Sequence, residues 1–223
     1  SHGVPSSPSA SSGSEVGLGL RGALPSDPAG VPARPAFTAH GDGARAHRAH
    51  GRGPTSPTVA WTFAAGGPLV AQVTASTDAS TLYVASLSGT LTALDRTGGV
   101  RWALSLGDRI YGAPLVLDDG TVFVGSDAKR FHSVSPKGQL NWKFETREDA
   151  DTSAILHPDG TIVFAAGKDL FALRRSGELA WRYRAKAKIF TSPALRDDGV
   201  VIVGSQDHHV HAVGKGGALA WTT

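Results

Sequence analysis

"ALDRTGGVRW", residues 93–102, sets a strand-like pair, an Asp, a Gly turn and a Trp in close succession. The same order returns as SVSPKGQLNW ending at Trp142, ALRRSGELAW ending at Trp181 and AVGKGGALAW ending at Trp221. The Trp spacings are 40, 39 and 40 residues, and Trp61 lies 41 residues before Trp102. Four positions before each of the last four Trp stands Gly98, Gly138, Gly177 or Gly217, and two before it Val100, Leu140, Leu179 or Leu219. The residue nine before is always small: Ala93, Ser133, Ala172 and Ala212. Self-similarity at a fixed period marks a repeat architecture before any side-chain chemistry is weighed.

Each repeat carries short apolar runs between turn residues, clearest in TLYVAS, TVFVGS, TIVFAA and VVIVGS, which begin at Thr81, Thr121, Thr161 and Val200. Such runs read as strands. Three of them follow Asp-Gly, at Asp119-Gly120, Asp159-Gly160 and Asp198-Gly199, where a tight turn needs a residue at ease with positive φ. Both faces of the strands are apolar, with Phe123 pointing one way and Val122 and Val124 the other, so both must be covered. Adding the preceding strand (GAPLVL), the following one (RFHSVS) and the Trp-bearing one (QLNWKF) gives a four-stranded unit per repeat. Repeated four-stranded sheets covered on both faces are the blades of a β-propeller. One Trp per blade then acts as a wedge between sheets. Burying roughly 150–250 Å² of indole contributes on the order of 4–6 kcal/mol at most.

The stretch 1–56 has a different composition. It is rich in Ser, Gly, Ala and Pro and has no sustained apolar period. Too little apolar area is available there to offset ordering entropy, so it reads as a flexible linker with a reach of roughly 40 Å. The propeller is placed at 57–223, with repeats at about 61–101, 102–141, 142–180 and 181–220. The 223 residues carry a net charge of only +3, and the acids and bases are interspersed within the repeats, which argues against nucleic-acid binding. There is no Cys, so disulfides and Cys-ligated zinc are excluded, and no apolar run approaches the ~20 residues of a spanning helix.

The repeat resembles the docking motif of the PQQ-repeat, or quinoprotein alcohol dehydrogenase-like, β-propellers, whose pattern runs Ala-x-Asp-x-x-x-Gly-x-x-x-Trp. The resemblance covers about Pro57 to Thr223, and LYVASLSGTLTALD before Arg96 is similar to the same family's inner hairpin. Only Asp95 keeps the docking Asp, since Ser135, Arg174 and Gly214 stand in its place elsewhere. The resemblance implies a larger ring of seven or eight blades, completed by further sequence or a second copy in preference to a closed four-bladed ring. It also implies two functional branches. Quinoprotein dehydrogenases hold pyrroloquinoline quinone and Ca²⁺ through acidic ligands, an Arg and often adjacent Cys. BamB-like proteins and the sensor domains of some receptor kinases carry no cofactor.

Chemistry-bearing residues are sparse. ETREDAD offers Glu145, Glu148, Asp149 and Asp151, an oxygen-rich set of the kind that holds Ca²⁺, but RYRAKAK (Arg182, Arg184, Lys186, Lys188) stands at matching positions one repeat later. Charge pairing between adjacent blades is the expectation, with no bound metal. In QDHHVHAV, alternation puts His209 and His211 on one face, while His208 takes the turn position held by Gly89 in the first repeat. A surface turn is expected there, and solvent exposure for His47 and His50. No hydrolase triad, phosphate loop or HExxH helix occurs. Counting on from each Trp places Gln72, Tyr111, Asp151, Thr152, Phe190 and Thr191 along the axial channel. Trp61, Trp102, Trp142, Trp181 and Trp221 are assigned to docking, with the four Gly and Asp95. The expectation is an all-β propeller following a linker, acting as a non-catalytic protein-binding or scaffolding module. It carries no cofactor and sits outside the cytoplasm, with membrane association only through an N-terminal anchor. The alternatives are a segment of a quinoprotein dehydrogenase and a receptor sensor domain.

Overall fold

The computed structural model describes residues 55–223 together with a two-residue strand ahead of them, β1 (Ala36–Phe37). The first sheet holds β2 (Thr74–Ala75), β3 (Thr81–Ala85), β4 (Thr90–Asp95) and β5 (Val100–Ser105). The second holds β6 (Leu115–Leu117), β7 (Val122–Ser126), β8 (Arg130–Val134) and β9 (Leu140–Glu145). The third comprises β10 (Ile155–Leu156), β11 (Ile162–Ala166), β12 (Asp169–Leu173) and β13 (Leu179–Arg184). The fourth comprises β14 (Ala194–Leu195), β15 (Val201–Gly204), β16 (Val210–Val213) and β17 (Leu219–Thr222). Each sheet is an antiparallel meander in chain order, the expected blade.

The Asp-Gly turns form as expected. Gly120, Gly160 and Gly199 have φ of 79°, 85° and 84°. The carboxylate beside each caps the turn: Asp119 accepts the Thr121 N–H at 2.8 Å, and Asp159 accepts both the N–H and the hydroxyl of Thr161 at 2.9 and 2.6 Å.

The alternation of the middle strands distributes each sheet between two cores. Between the first two sheets lie Tyr83, Leu91, Ile110, Val116, Val122 and Val124. Between the second and third lie Leu115, Phe123, Phe131, Ile162, Phe164 and Phe171. Ile155, Val163, Leu170, Val201, Val203 and Val213 fill the next gap. Phe123 and its neighbours Val122 and Val124 therefore serve opposite interfaces, as their alternation dictates. The outer strands β5, β9 and β13 only half-bury alternate positions and expose the others. Apolar residues stand exposed at both ends of the series, including Val70 in the first repeat and Trp221, 39% exposed, in the last.

Two results depart from a simple meander. The small residue nine before each Trp is its cross-strand partner, pairing Ala93 with Trp102, Ser133 with Trp142, Ala172 with Trp181 and Ala212 with Trp221. A register shift follows at once in all four pairs, so a small residue and a bulge recur wherever an indole lies across the sheet. Second, β1 lies within the stretch read as a linker, yet it pairs antiparallel with β6, Ala36 opposite Leu117 and Phe37 opposite Val116. The rest of that stretch up to residue 54, including His47 and His50, lies outside the described residues.

Candidate functional site

The recurring Trp and Gly meet between repeats. The Trp61 indole N–H donates to the Arg96 carbonyl at 2.9 Å, Trp102 to Pro136 at 2.9 Å and Trp142 to Arg175 at 2.8 Å. Each acceptor lies in the turn before the outer strand of the following sheet. The Gly of that turn leaves room for the ring, because a Cβ on Gly98, Gly138, Gly177 or Gly217 would stand 2.7, 2.6, 2.8 or 3.0 Å from Trp61, Trp102, Trp142 or Trp181. Each Gly thus faces the preceding repeat's Trp, not the one four residues after it. Asp95 Oδ1 braces the first turn by accepting from the Thr97 N–H and hydroxyl and the Gly99 N–H at 2.7–2.9 Å. These bonds, the Thr97 hydroxyl foremost, hold its carboxyl below the usual range. Ser135 does a weaker version of this, accepting from the Gln139 N–H at 3.1 Å.

Around the inner strands, hydroxyls tie one repeat to the next. The Thr74 hydroxyl donates to the Pro114 carbonyl, the Ser153 hydroxyl accepts from the Ala113 N–H, and the Ser192 hydroxyl accepts from the Ser153 N–H. Sequence reading missed all three, whose signal is a hydroxyl 11 to 13 residues after a Trp, at Thr74, Ser153 and Ser192, with Ala113 at the corresponding place in the second repeat. Of the residues placed along the channel, Gln72 is exposed in the approach to β2. Thr152 is buried, its hydroxyl donating to the Ala165 carbonyl and accepting from the Ala165 N–H. Thr191 bonds to Gly204 in the same way. Two of the residues placed along the channel carry exposed aromatic surface: Tyr111, with Arg109 6.0 Å from its ring centroid, and Phe190, with the Lys188 ammonium 4.5 Å from its own. Cation and ring together give a rim of the kind that protein interfaces favour.

Between those two pairs lies an acidic group. Asp149 and Asp151 come together not with Glu145 and Glu148 but with Asp127, from the β7–β8 turn, and each offers an oxygen within 4.8 Å of the others. Arg109 reaches Asp127 at 3.0 Å and Lys188 reaches Asp151 at 3.7 Å. The expected pairing between successive repeats thus holds for Lys188 and Asp151. Glu145 instead pairs within its own sheet, with Arg130 at 2.7 Å, and Arg182 and Arg184 approach Asp169 at 3.7 and 3.6 Å. The outer cleft between β9 and β13, about 290 Å³, is lined by this second group. As a Ca²⁺ site the trio fits poorly, since two of its three acids already face a cation. It also lacks the adjacent Cys that the quinone-binding branch often carries.

Asp127 is the most perturbed of these acids. Burial, then a proton shared with Asp151 and the charges of Asp151 and Asp149, push its carboxyl up to about 7 against the pull of Arg109. An acid whose folded pKa exceeds its unfolded value holds a proton that the unfolded chain has lost. Its contribution is therefore full below about pH 4 and disappears as pH rises through about 7. The expected result is a melting temperature that falls across that window in the parent chain and stays flatter in Asp127→Asn. Parallel profiles would refute the assignment. Asp78 and Asp207, held near 2, act in the acid range below this window.

His208 sits at φ 70° in its turn, matching Gly89 at 77°. His211 instead joins an interior relay: its Nδ1 meets the Tyr183 hydroxyl at 2.7 Å and its Nε2 the Asp207 carboxylate at 3.0 Å. With Nε2–H donated to Asp207, Nδ1 accepts from Tyr183. The relay links β13 to β16 where the previous interface has Phe144 against Phe171 at 5.5 Å. It is a polar substitute for an aromatic contact.

Residues 53–156 and 131–223 match the family described as outer membrane protein assembly factor BamB. Among solved structures, BamB from Moraxella catarrhalis is 19% identical with a TM-score of 0.57, over 69% of this chain and 48% of that one. A protein of unknown function from Bacteroides caccae is 16% identical with a TM-score of 0.52, over 73% and 63% respectively. Quinohemoprotein alcohol dehydrogenase ADHIIG from Pseudomonas putida HK5 is 16% identical with a TM-score of 0.55, over 65% of this chain and 32% of that one. The chain therefore spans less than two thirds of the length of each, and at these identities the likeness shows the fold alone. No curated protein matches in sequence.

Proposed function

The chain belongs to the PQQ-repeat β-propeller family described as outer membrane protein assembly factor BamB, and on that premise we propose that it is a non-catalytic protein-binding module of the cell envelope. What carries this reading is the inter-blade rim, where Tyr111 and Phe190 stand exposed beside Arg109 and Lys188. Rigid aromatics lose little conformational entropy on contact, and with Arg they dominate interface energetics, whereas a buried small-molecule site needs an enclosed apolar cavity. The family's description as an outer membrane assembly factor supports an extracytoplasmic placement. The partner is a protein or peptide, and nucleic acid is not among the ligands.

The second reading, a segment of a quinoprotein dehydrogenase, has one observation in its favour: the Asp127, Asp149 and Asp151 oxygens gathered in one place. One experiment separates the two. A photo-crosslinking amino acid placed at 111 or 190 is expected to trap a defined envelope protein, and the same group at Lys143 on the outer strand β9 to trap none. Equal labelling at all three positions, or none at any, overturns the binding reading. Stoichiometric retention of pyrroloquinoline quinone with Ca²⁺, accompanied by dye reduction, replaces it with the enzyme.

A further inference from the structure

The inner strand of each sheet has one edge that its own sheet leaves unpaired. Strand β6 turns one main-chain edge toward β7: the Leu117 N–H donates to the Thr121 carbonyl, and the Leu117 carbonyl accepts from Gly120. Because main-chain groups alternate along an antiparallel strand, the N–H and C=O of Val116 face the opposite side, away from β7. That is where β1 lies, with Phe37 opposite Val116. We propose that the inner edge of the second blade is a strand-addition site and that the chain's own Ala36–Phe37 fills it in cis.

The choice of blade has a physical basis. An unguarded edge is a template for pairing, and natural sheets blunt their edges with charge, Pro or shortness. The inner strand of the second blade has three residues, Leu-Val-Leu, where the others have two. The position after the paired residue is Leu117 here, whereas the equivalent residues elsewhere are Ser76, His157 and Arg196, each bound by a side-chain hydrogen bond within or beside its turn. Among the described residues, the other three sheets stop at four strands. The Val116 side chain is fully buried against the first sheet, so recognition at this edge falls to the main chain and tolerates varied sequence in the added strand. Release of Ala36–Phe37 frees that edge for an extended peptide of the same antiparallel register.

Two proline substitutions in the full chain test this through amide exchange at Val116. Phe37→Pro removes the N–H that faces Val116 and is expected to speed exchange there by about tenfold. Ala36→Pro falls in the non-hydrogen-bonded pair with Leu117, its N–H pointing outward, and is expected to leave the rate unchanged. A synthetic peptide of residues 32–42 added to the Phe37→Pro chain is expected to restore protection. Equal rates in the parent and Phe37→Pro chains overturn the proposal, as do equal effects from both prolines. Loss of protection throughout, Val163 included, overturns it too, because a strand that only fills an edge does not carry the third blade. None of these outcomes depends on the rim at Tyr111 and Phe190, so this site and the partner reading fail separately.

Discussion

Phe164→Ala is expected to lower the unfolding free energy by about 3–5 kcal/mol, a large share of the 5–15 kcal/mol typical of a whole domain. Phe164 is fully buried and stacks on Phe131 of the preceding blade, with ring centroids 3.7 Å apart and planes within 4°. Phe171, the cross-strand partner of Phe164, lies 5.5 Å away, and Trp142 closes the slab 5.7 Å from Phe123. This aromatic slab belongs to one interface; the gaps on either side of it are filled chiefly by Val, Leu, Ile and Ala. Removing a ring from its middle leaves a cavity that rigid strands on both sides cannot collapse into. Because repeat stability is close to a sum of unit and neighbour terms, the loss falls on the coupling between the second and third blades. Denaturant unfolding should therefore broaden or split into two steps as well as shift. Phe190→Ala, at a ring 53% exposed, is the control and should change stability by no more than about 0.5 kcal/mol. Similar losses in both chains would mean that the slab does not hold the blades together.

What the sequence disclosed and what it withheld divide along the range of the contacts. Strands, Asp-Gly turns and the opposite facing of Phe123 and Val124 are local consequences of period-2 alternation and of Gly at positive φ, so they were legible at once. Columns in the repeat were legible too, but not their meaning. Ala93 and its counterparts stood out as small without any sign that an indole lies across from each, and Gly98 was grouped with Trp102 although its contact is with Trp61. A column repeating every 40 residues fits contacts within a unit and contacts to the unit before or after, and only coordinates separate them. The acidic cluster failed for the same reason. Asp127 lies more than 20 residues from Asp149 and Asp151 and reaches them because a hairpin turn of one blade abuts the loop that leads into the next. The β1 pairing had no sequence signal beyond a short apolar pair in a polar stretch.

The contact between Trp142 and Gly177 carries the other large effect, and a double-mutant cycle isolates it. Trp142→Ala is expected to cost about 3 kcal/mol, since the ring packs on Phe123 and Phe131 and its N–H holds the Arg175 carbonyl. Gly177→Ala has two independent costs. The residue sits at φ 91°, which disfavours any side chain, and its Cβ would stand 2.8 Å from the Trp142 ring. Gly160→Ala measures the first cost alone, because Gly160 has nearly the same φ, 85°, and no atom within 4 Å of the added Cβ. Strain of that kind is worth about 1 kcal/mol or somewhat more. Once Trp142 is Ala, the collision is gone, and Gly177→Ala should cost no more than Gly160→Ala does. The two substitutions are thus expected to fall short of additivity by at least about 1 kcal/mol, read from denaturant midpoints at unchanged m-value. Strict additivity would mean that Gly177 serves its turn alone. The Gly column would then report four independent hairpins, and the indole would need no vacancy in the neighbouring blade. Non-additivity makes the Gly and the Trp one device divided between successive repeats, which is why both recur at the same interval although they lie in different units.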